Sequence, residues 1–570
     1  MINPVENVKK TIQEALEKAL VILREEGKIS FNTIPSYVVE VPREKVHGDF
    51  ATNLAMVMAR EARMAPRQIA SLVQGIIVEK NLLALPCEKI EVAGPGFINF
   101  YLKPQWLYDV LVTVLEEEEN YGRSNLGQGQ KVQVEFVSAN PTGLLHMGNA
   151  RGAALGDTLA SILEWTGHEV TREFYINDAG SQIENFGLSL EARYLQALGH
   201  DVPFPEEGYH GQDIIDTVHR LIQEVGDSYL QLSPAKRREK LVEYALKEKL
   251  QAIRDSLSRF GVEYDVWFSE RTLHETGKVA EVVKLLGEKG YTYEKDGAVW
   301  FRATAFGDEK DEVLVRANGI PTYFAADIAY HKNKFDRGFE RVINIWGADH
   351  HGHVRRMKGA MAALGYNPEA LDIIIMQLVR LFQGGEILRM SKRTGQYVTL
   401  DELMDEVGRD AARYFFIMRS ADSHLDFDLD LAKKQSNENP VYYIQYAHAR
   451  ICSIFRQLAE RGGKQEVLKG EALRNLLAEG VLQEEAELDL LRHLAFFPEE
   501  LVLAARELAP HRIARYTLEL AGLFHSFYNA HRVIGVEEKL QAVRLALVRG
   551  VQVVLQNALA VMGISAPERM

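Results

Sequence analysis

Apolar residues recur at intervals of three to four along residues 8–23, and Gly27 follows them as a stop signal. This spacing predicts an amphipathic helix. A second amphipathic helix is predicted after the Gly–Asp pair at 48–49, whereas residues 97–102 alternate at every second position, which indicates a strand. These elements predict a small α+β domain over residues 1–108, followed by a polar connection at 116–130.

The hydrophobic pattern changes after this connection. The sequence then predicts a strand, a loop, a helix with its buried side along residues 150–163, and a second strand at 169–176. Such a βαβ unit implies a parallel sheet with ligands at the carboxyl ends of its strands. Further strands are predicted at 342–346 and 372–379, and the charged helical segment at about 179–260 is predicted to be an insertion outside the sheet.

Strand signals fade after about residue 400, and helical periodicity continues to the C-terminus. The predicted fold is therefore a multidomain α/β protein. After the small N-terminal domain, the chain is predicted to form a Rossmann-like parallel-sheet domain over residues 126–400, a junction over 401–435, and an all-α domain over 436–570.

Composition and charge refine this picture. The 570 residues, 46% of them hydrophobic, are too many for one core, which supports about three domains. The formal net charge of −14 argues against a nucleic-acid partner, but residues 441–570 contain 15 Lys and Arg against 15 Asp and Glu. The final domain is thus neutral, and an RNA-facing tail is permitted.

Neither cysteine chemistry nor a membrane is expected. Cys87 and Cys452 form no CxxC pair, so a disulfide framework and a cysteine-based zinc site are unsupported. The N-terminal segment is charged throughout, and no window of about 18 uncharged apolar residues occurs in the sequence. We expect a cytoplasmic protein.

The loop HMGN, residues 146–149, precedes the predicted helix of the βαβ unit. Free N–H groups and the helix dipole at such a position favour phosphate. His146 can donate to a phosphate oxygen, and Gly148 lets an adenine ring lie against bare backbone. Taken alone, such a loop more often holds a surface histidine and a turn glycine.

A second segment, RMSKRTG at 389–395, follows the predicted strands. It can bring Lys392 onto the β- and γ-phosphates as pyrophosphate departs. Taken by itself, the segment is more often a solvated basic loop. No GxxxxGK[ST] motif is present in the sequence, which therefore does not support a P-loop ATPase.

Together the two segments resemble the HIGH and KMSKS signatures of class I aminoacyl-tRNA synthetases in order and separation. Other segments resemble arginyl-tRNA synthetases in particular, so the likeness extends over essentially the whole chain. They are GDFATNLA near residue 50, EFVSANPTG before HMGN, INDAG at 176–180, PTYFAADIAYH at 321–331, DAAR at 410–413 and the C-terminal SAPERM.

The resemblance implies an arginine–tRNA ligase. Such an enzyme forms arginyl-adenylate from arginine and ATP, then transfers the arginyl group to the 2′-hydroxyl of the terminal adenosine of tRNA(Arg). The implied catalytic residues are His146, Asn149, Ser391 and Lys392, and the implied ATP-binding residues are His146, Gly148, Asn149, Gly347, Asp349, Met390 and Lys392. The chain departs from the family signatures at Asn149, where HIGH ends in His, and at Arg389, where KMSKS begins with Lys.

An arginine pocket needs carboxylates and carbonyls arranged around a planar guanidinium. By the resemblance, Tyr323 and Asp327 contact the guanidinium. They are four residues apart in a segment that can be helical, which places them on one face. The remaining implied arginine-binding residues are Glu135, Ser138 and Asn140 for the α-amino and carboxylate groups, and His350.

The run GADHHGH at 347–353 contains three histidines, but we expect no protein-held metal because no distant ligand is evident. Mg²⁺ is expected on the ATP phosphates instead.

The resemblance further implies that the final domain binds the anticodon and that the strand GFINF reads the tRNA elbow. Aromatics interleaved with Arg and Asn suit unstacked bases, although most of these aromatics are expected to be core residues. The implied tRNA-binding residues are Phe97, Asn99, Tyr446, Arg450, Asn529 and Arg532. The family also implies a monomer.

Two other interpretations remain open. A non-catalytic RNA-binding paralogue would keep the fold for regulation, but it would have no use for both phosphate motifs. Another class I synthetase is the second alternative, although the lack of a metal-ligand set disfavours cysteine and the acidic pocket residues disfavour glutamate.

Overall fold

The structure is a computed structural model that describes residues 3–42, 44–388 and 398–570. Its elements fall into three groups along the chain: an α+β group, a group built on a parallel sheet, and a helical group.

The N-terminal group is an antiparallel sheet, in the order β1-β2-β4-β3, covered by three helices. Its elements are α1 (Pro4–Glu25), β1 (Val39–Glu40), β2 (Phe50–Thr52), α2 (Leu54–Ala62), α3 (Pro66–Glu79), β3 (Cys87–Ala93) and β4 (Phe97–Leu102). The predicted first helix is confirmed, and Asn3 caps it by accepting hydrogen bonds from the N–H groups of Val5 and Glu6. The Gly–Asp pair at 48–49 leads first into β2 and only then into the predicted helix, because Phe50 pairs with Phe100.

The middle group contains the parallel sheet and its connections. It comprises α4 (Gln105–Glu117), β5 (Lys131–Glu135), α5 (Met147–Trp165), β6 (Glu169–Ile176), α6 (Ser181–Ala197), α7 (Gln212–Val225), α8 (Pro234–Arg259), β7 (Val266–Ser269), α9 (Glu270–Glu275), α10 (Lys278–Glu288), β8 (Thr292–Lys295), β9 (Ala298–Phe301), β10 (Glu312–Val315), α11 (Tyr323–Asp336), β11 (Arg341–Gly347), α12 (Val354–Leu364), β12 (Leu371–Met376), β13 (Val379–Gln383), β14 (Glu386–Leu388), α13 (Leu400–Val407), α14 (Arg409–Ile417), β15 (Leu425–Asp428) and α15 (Leu429–Lys433).

Five parallel strands form the central sheet in the order β12-β11-β5-β6-β7. The chain moves from β5 through β6 to β7 on one side and returns to β11 on the other, so the strand order reverses between β5 and β11. A crevice at the carboxyl ends of the strands, at such a reversal, is the usual position of ligands in open α/β sheets. The predicted βαβ unit and the predicted parallel sheet are confirmed.

Two strand predictions need correction. The segment predicted as one strand at 372–379 forms two, because Gln377 leaves the sheet and donates its backbone N–H to the carbonyl of Ala421. The junction after residue 400, predicted without strands, contains β15, which pairs in parallel with β13. The segment predicted as a helical insertion forms α6–α8, which share an apolar cluster of their own.

The C-terminal group consists of α16 (Pro440–Glu460), α17 (Gly470–Ala478), α18 (Glu485–Glu507), α19 (His511–Ala530) and α20 (Glu538–Val561). Helix α4, from the connection, packs against α17, α18 and α20. Within the described part of the chain, α20 is the one helix long and apolar enough to cross a membrane, but 83% of its apolar window is buried inside the protein. This burial is typical of a core helix.

Candidate active site

Helix α5 begins with a reciprocal cap that orients a histidine. The Nδ1 atom of His146 accepts the backbone N–H of Gly148 at 3.1 Å, and Asn149 Oδ1 accepts the N–H of His146 at 3.1 Å. Because Nδ1 is an acceptor, the neutral imidazole carries its proton on Nε2, the tautomer that can donate to a phosphate oxygen. A Cβ atom at Gly148 would lie 3.1 Å from the ring of His146, so glycine leaves the ring room.

The chain passes this cap a second time after residue 397. Thr399 pairs with His146 in an antiparallel bridge, and the N–H of Leu400 donates to the carbonyl of Leu145 at 2.9 Å. The chain is therefore anchored beside HMGN at Thr399 and Leu400, shortly after the RMSKRTG segment. The predicted residues Met390, Ser391 and Lys392, like Arg389, lie outside the described residues.

The carboxyl end of β5 presents Glu135 and Ser138. The backbone between them is strained, because Val137 and Ser138 have φ of 68° and 40°, in the left-handed region that β-branched residues avoid. This turn lets Ser138 Oγ donate to Glu135 Oε1 at 2.8 Å while it accepts the N–H of Tyr175 at 3.1 Å. Glu135 is only 6% exposed, so two neighbouring strands fix the orientation of a buried carboxylate.

Helix α11 supplies the second predicted pair, and its helical conformation is confirmed. Asp327 Oδ2 lies 3.0 Å from His353 Nε2, and Tyr323, one turn earlier, is 52% exposed. The negative charge of Asp327, followed by desolvation and the charge of Glu270, raises the pKa of the Tyr323 hydroxyl. Tyr323 is therefore a neutral hydroxyl beside a carboxylate.

Two residues of this pocket are missing from the sequence prediction, Glu270 and Tyr175. Glu270 is 4% exposed and lies 3.4 Å from His274 Nε2. Burial, followed by the nearby charge of Asp327, raises the pKa of Glu270 against the opposing effects of His274 and Tyr175. The missed signal is VWFS, the strand β7, since an acidic residue directly after a parallel strand lies at the ligand-binding edge.

The remaining predicted residues surround this pocket more loosely. Asn140 is exposed and lies 3.3 Å from the Asn177 side chain. Asp349 and His350 follow β11 in a short helical turn with 82% and 45% of their side chains exposed, and Gly347 ends the strand. Among the described residues, no group of three or more His, Cys, Asp or Glu is arranged to hold a metal ion.

A buried arginine fixes the start of α5 against the rest of the domain. The guanidinium of Arg151, with no exposed surface, donates to the carbonyls of Gln377, Ser420 and Ser423 at 2.7–3.0 Å. Burial lowers the pKa of this guanidinium to about 10. Arg151 thus holds the start of α5 at a set position relative to the segments that lead into β13 and β15.

The residues nominated for tRNA contact lie on two separate groups of elements. Tyr446 and Arg450 are half-buried on α16, with the guanidinium of Arg450 4.6 Å from the Tyr446 ring, whereas Asn529 and Arg532 are exposed. On β4, Phe97 is half-buried, but Asn99 is only 3% exposed because it lies between β2 and β3. As expected, several C-terminal aromatics are core residues; Phe527 has no exposed surface.

The structure combines a parallel sheet whose switch point holds the capped start of α5, an acidic pocket beside it, and a helical C-terminal group. Together these features define a class I aminoacyl-tRNA synthetase. Three family models match in chain order: the arginyl tRNA synthetase N terminal domain at 6–102, the catalytic domain of tRNA synthetases class I (R) at 110–426, and the DALR anticodon binding domain at 444–570.

Full-length relatives specify the family. The chain is 62% identical over 566 residues to the arginine–tRNA ligase of Desulforamulus reducens, covering 99% of both chains. It is 61% identical over 567 residues to that of Desulfitobacterium hafniense, again covering 99% of each. The chain therefore belongs to the arginyl-tRNA synthetase family. The solved arginyl-tRNA synthetase of Thermus thermophilus, 24% identical, has the same fold, with a TM-score of 0.74 over 99% of this chain and 100% of that one.

Proposed function

We propose that this member of the arginyl-tRNA synthetase family carries out its arginine–tRNA ligase reaction in the crevice between β5 and β11. The α-carboxylate of arginine attacks the α-phosphorus of ATP, and pyrophosphate leaves. The 2′-hydroxyl of the terminal adenosine of tRNA(Arg) then attacks the carbonyl carbon of the adenylate, and AMP leaves. No covalent enzyme intermediate is needed, so positioning and charge stabilisation account for the catalysis.

The observation that carries the pocket assignment is the excess of carboxylates around Tyr323. Its hydroxyl is subject to the charges of Asp327, Glu270 and Glu135. A guanidinium offers five N–H donors in a plane and suits such a set of acceptors. In this proposal Asp327, Glu270 and Tyr323 receive the guanidinium, and Glu135 receives the α-ammonium group. Ser138, Asn140 and His350 complete the amino acid site.

The phosphates of ATP lie at the start of α5 in this proposal. His146 donates from Nε2 to an α-phosphate oxygen, and Asn149 keeps its capping bond to the backbone of His146. Ser391 and Lys392 complete the catalytic set at the β- and γ-phosphates, with Met390, Gly148, Gly347 and Asp349 around the nucleotide. Mg²⁺ neutralises phosphate charge when bound. Since the described residues offer no carboxylate cage, phosphate oxygens and water would supply its ligands.

For tRNA, the proposal places the anticodon loop on the surface of α16 and α19 around Tyr446, Arg450, Asn529 and Arg532. Half-buried aromatic rings there could stack on unpaired bases. Phe97 would contact the tRNA elbow. Asn99 would contact it only if its strand moves. The domain division at 1–108, 126–400 and 436–570 belongs to the same proposal, as do a monomeric state, a cytoplasmic location and the absence of a membrane partner.

The test is ATP–pyrophosphate exchange with each of the twenty amino acids, run with and without total tRNA. Exchange with arginine alone, and only in the presence of tRNA, is the expected result. Exchange with another amino acid would overturn the pocket assignment. Binding of tRNA without exchange under any condition would instead favour the non-catalytic paralogue.

A further inference from the structure

Three buried polar side chains connect the two ends of the proposed arginine pocket. Lys334 and Asn344 have no exposed surface, and His331 is 1% exposed. Lys334 and His331 belong to α11, the helix that carries Asp327, whereas Asn344 belongs to β11. They lie beneath the pocket rather than in it, and neither their sequence context nor the proposed chemistry assigns them a role.

Hydrogen bonds through these side chains start at Lys334, which donates toward Glu135 on one side and toward Asp327, through Asn344 and His331, on the other. Lys334 Nζ donates to Glu135 Oε2 at 2.5 Å and to Asn344 Oδ1 at 2.8 Å. The amide of Asn344 must then present its Nδ2 to His331 Nε2, which lies at 2.7 Å. His331 Nε2 is therefore an acceptor, and Nδ1 carries the proton and donates to the backbone carbonyl of Asp327 at 2.8 Å.

This chain joins the Glu135 carboxylate to the backbone of the helix that carries Asp327. At one end, Glu135 is held between Lys334 on one oxygen and Ser138 on the other. At the other end, the backbone of Asp327 is bonded to His331, while its carboxylate faces His353. Each polar group in the chain has a specific partner, so a shift of α11 relative to the Glu135 carboxylate would break buried hydrogen bonds.

The charge of Lys334 has a second consequence for Glu135. Burying a carboxylate is costly unless it is paired, and Lys334 supplies the opposite charge at 2.5 Å. Two of the approximately four acceptor positions of the Glu135 carboxylate are used by Lys334 and Ser138, which leaves positions for a ligand. Lys334 thus pairs with Glu135 and orients it, while acceptor positions remain for a ligand.

We propose that Lys334 is a positioning residue that sets the spacing between the carboxylate for the α-ammonium group and the carboxylate for the guanidinium, and thereby selects an amino acid of the length of arginine. This inference rests on the proposed function, which assigns the two carboxylates to the two ends of the substrate. Lys334 itself does not touch the substrate.

The test compares three compounds on wild type and Lys334→Met. They are arginine, 5-guanidinopentanoate, which lacks only the α-amino group, and homoarginine, which is one methylene longer. In tRNA-dependent exchange at saturating ATP, we expect Lys334→Met to raise the arginine KM roughly 30- to 100-fold and to lower kcat less than about fivefold. Inhibition by 5-guanidinopentanoate should change less than about threefold, because this compound has no α-ammonium group to bind Glu135. The preference for arginine over homoarginine should fall about tenfold.

Arg337→Met is the matched control. Arg337 ends the same helix and forms a two-bond ion pair with the buried Glu173 at 2.6 and 2.9 Å, but it has no bond to Glu135 or Asp327. We expect this variant to lose thermal stability while it keeps the wild-type ratios among the three compounds. If Lys334→Met also keeps those ratios, whatever its stability, Lys334 is only a structural ion-pair partner and the inference is wrong.

Lys334→Arg provides a second test if the methionine variant does not fold. It keeps the buried charge but lengthens the side chain, so it should restore folding and still weaken the discrimination against homoarginine. Unchanged discrimination would overturn the inference. A wild-type enzyme that binds 5-guanidinopentanoate as tightly as arginine would instead contradict the proposed role of Glu135, and the two failures are therefore distinguishable.

Discussion

Two clusters of buried charge lie on α5 and the central sheet, and they differ in balance. In the proposed arginine pocket, the charges of three carboxylates, Asp327, Glu270 and Glu135, act on Tyr323, and Lys334 pairs with Glu135 alone. In the junction between α5, α14 and the C-terminus, Arg413 and Arg172 are paired with Asp157 and Glu164.

The charges of the junction are paired within the protein. The guanidinium of Arg413, with no exposed surface, donates to Asp157 at 2.6 Å and to the carbonyls of Met562 and Phe260 at 2.9 and 3.2 Å. One side chain thereby joins α5, the end of the helical insertion and the end of α20. A balanced, fully bonded cluster of this kind holds parts of a protein together, whereas an unbalanced one gains stability when a ligand of opposite charge arrives.

The largest effect is expected at the junction. Replacing Arg413 by Met leaves buried carbonyls and one oxygen of Asp157 without their donor, so we expect a loss of about 3–5 kcal/mol in the free energy of unfolding. Urea denaturation would measure the loss. The arginine KM of the protein that remains folded should change less than about threefold, because the sites share no partner.

Arg409 on the same helix provides the control for this variant. Its side chain is 44% exposed and pairs with Asp410, so Arg409→Met should cost less than about 1 kcal/mol. Equal losses in the two variants would mean that the junction cluster contributes no more than a surface ion pair.

The next effect belongs to the pocket and has the opposite character. Asp327→Asn removes one of the three carboxylates, so the arginine KM should rise roughly 30- to 1000-fold, which corresponds to about 2–4 kcal/mol. Unfolding stability should stay the same or increase, since repulsion from Glu270 is relieved. Exchange kinetics and thermal unfolding give the two values. Asp336→Asn is the control: Asp336 is exposed, nine residues along the same helix, and its replacement should leave the arginine KM unchanged. If Asp327→Asn also leaves the arginine KM unchanged, the unbalanced carboxylates do not bind arginine and the contrast with the junction does not hold.

The smallest effect concerns acid stability. Burial, reinforced by the charge of Lys334 and opposed by Asp327, lowers the pKa of His331 to about 3 from an ordinary 6.5. Because the folded pKa is the lower one, the stability that neutral His331 contributes is complete above pH 6.5. It is lost as pH falls toward 3, by about 1.4 kcal/mol per pH unit.

His331→Gln removes this titration and should flatten the wild-type decline in urea stability between pH 6.5 and 5.5 by about 1 kcal/mol, because the unfolded histidine is only half protonated at the upper end of that interval. His200→Gln, at an exposed position, serves as the control and should leave the decline as it is. A decline that persists in His331→Gln would show that the histidine beneath the pocket is not held neutral.

Much of the fold followed from local patterns. The periodicity predicted α1, the βαβ unit, the helical insertion and the C-terminal helices, because one helix face or one side of a strand is buried regardless of its partner. Strands β7 and β15 escaped notice since each has only four residues and lacks a long alternation.

The candidate site divides in the same way. HMGN, Glu135, Tyr323 and Asp327 were predictable because a distinctive motif or a position after a strand marks each of them. Glu270 was not, because its strand was missed, and Lys334 looks like any surface lysine in a charged helix.

The sequence by itself determined the family, the order of the elements and the residues that begin or end them, all of which depend on neighbours within a few positions along the chain. Only the tertiary structure decided which buried charges meet: Lys334 and Glu135 are 199 residues apart, and Arg413 and Asp157 are 256 apart. The physical reason is that the desolvation of a charge depends on everything packed around it, and that packing is set by the order β12-β11-β5-β6-β7, which no local pattern contains.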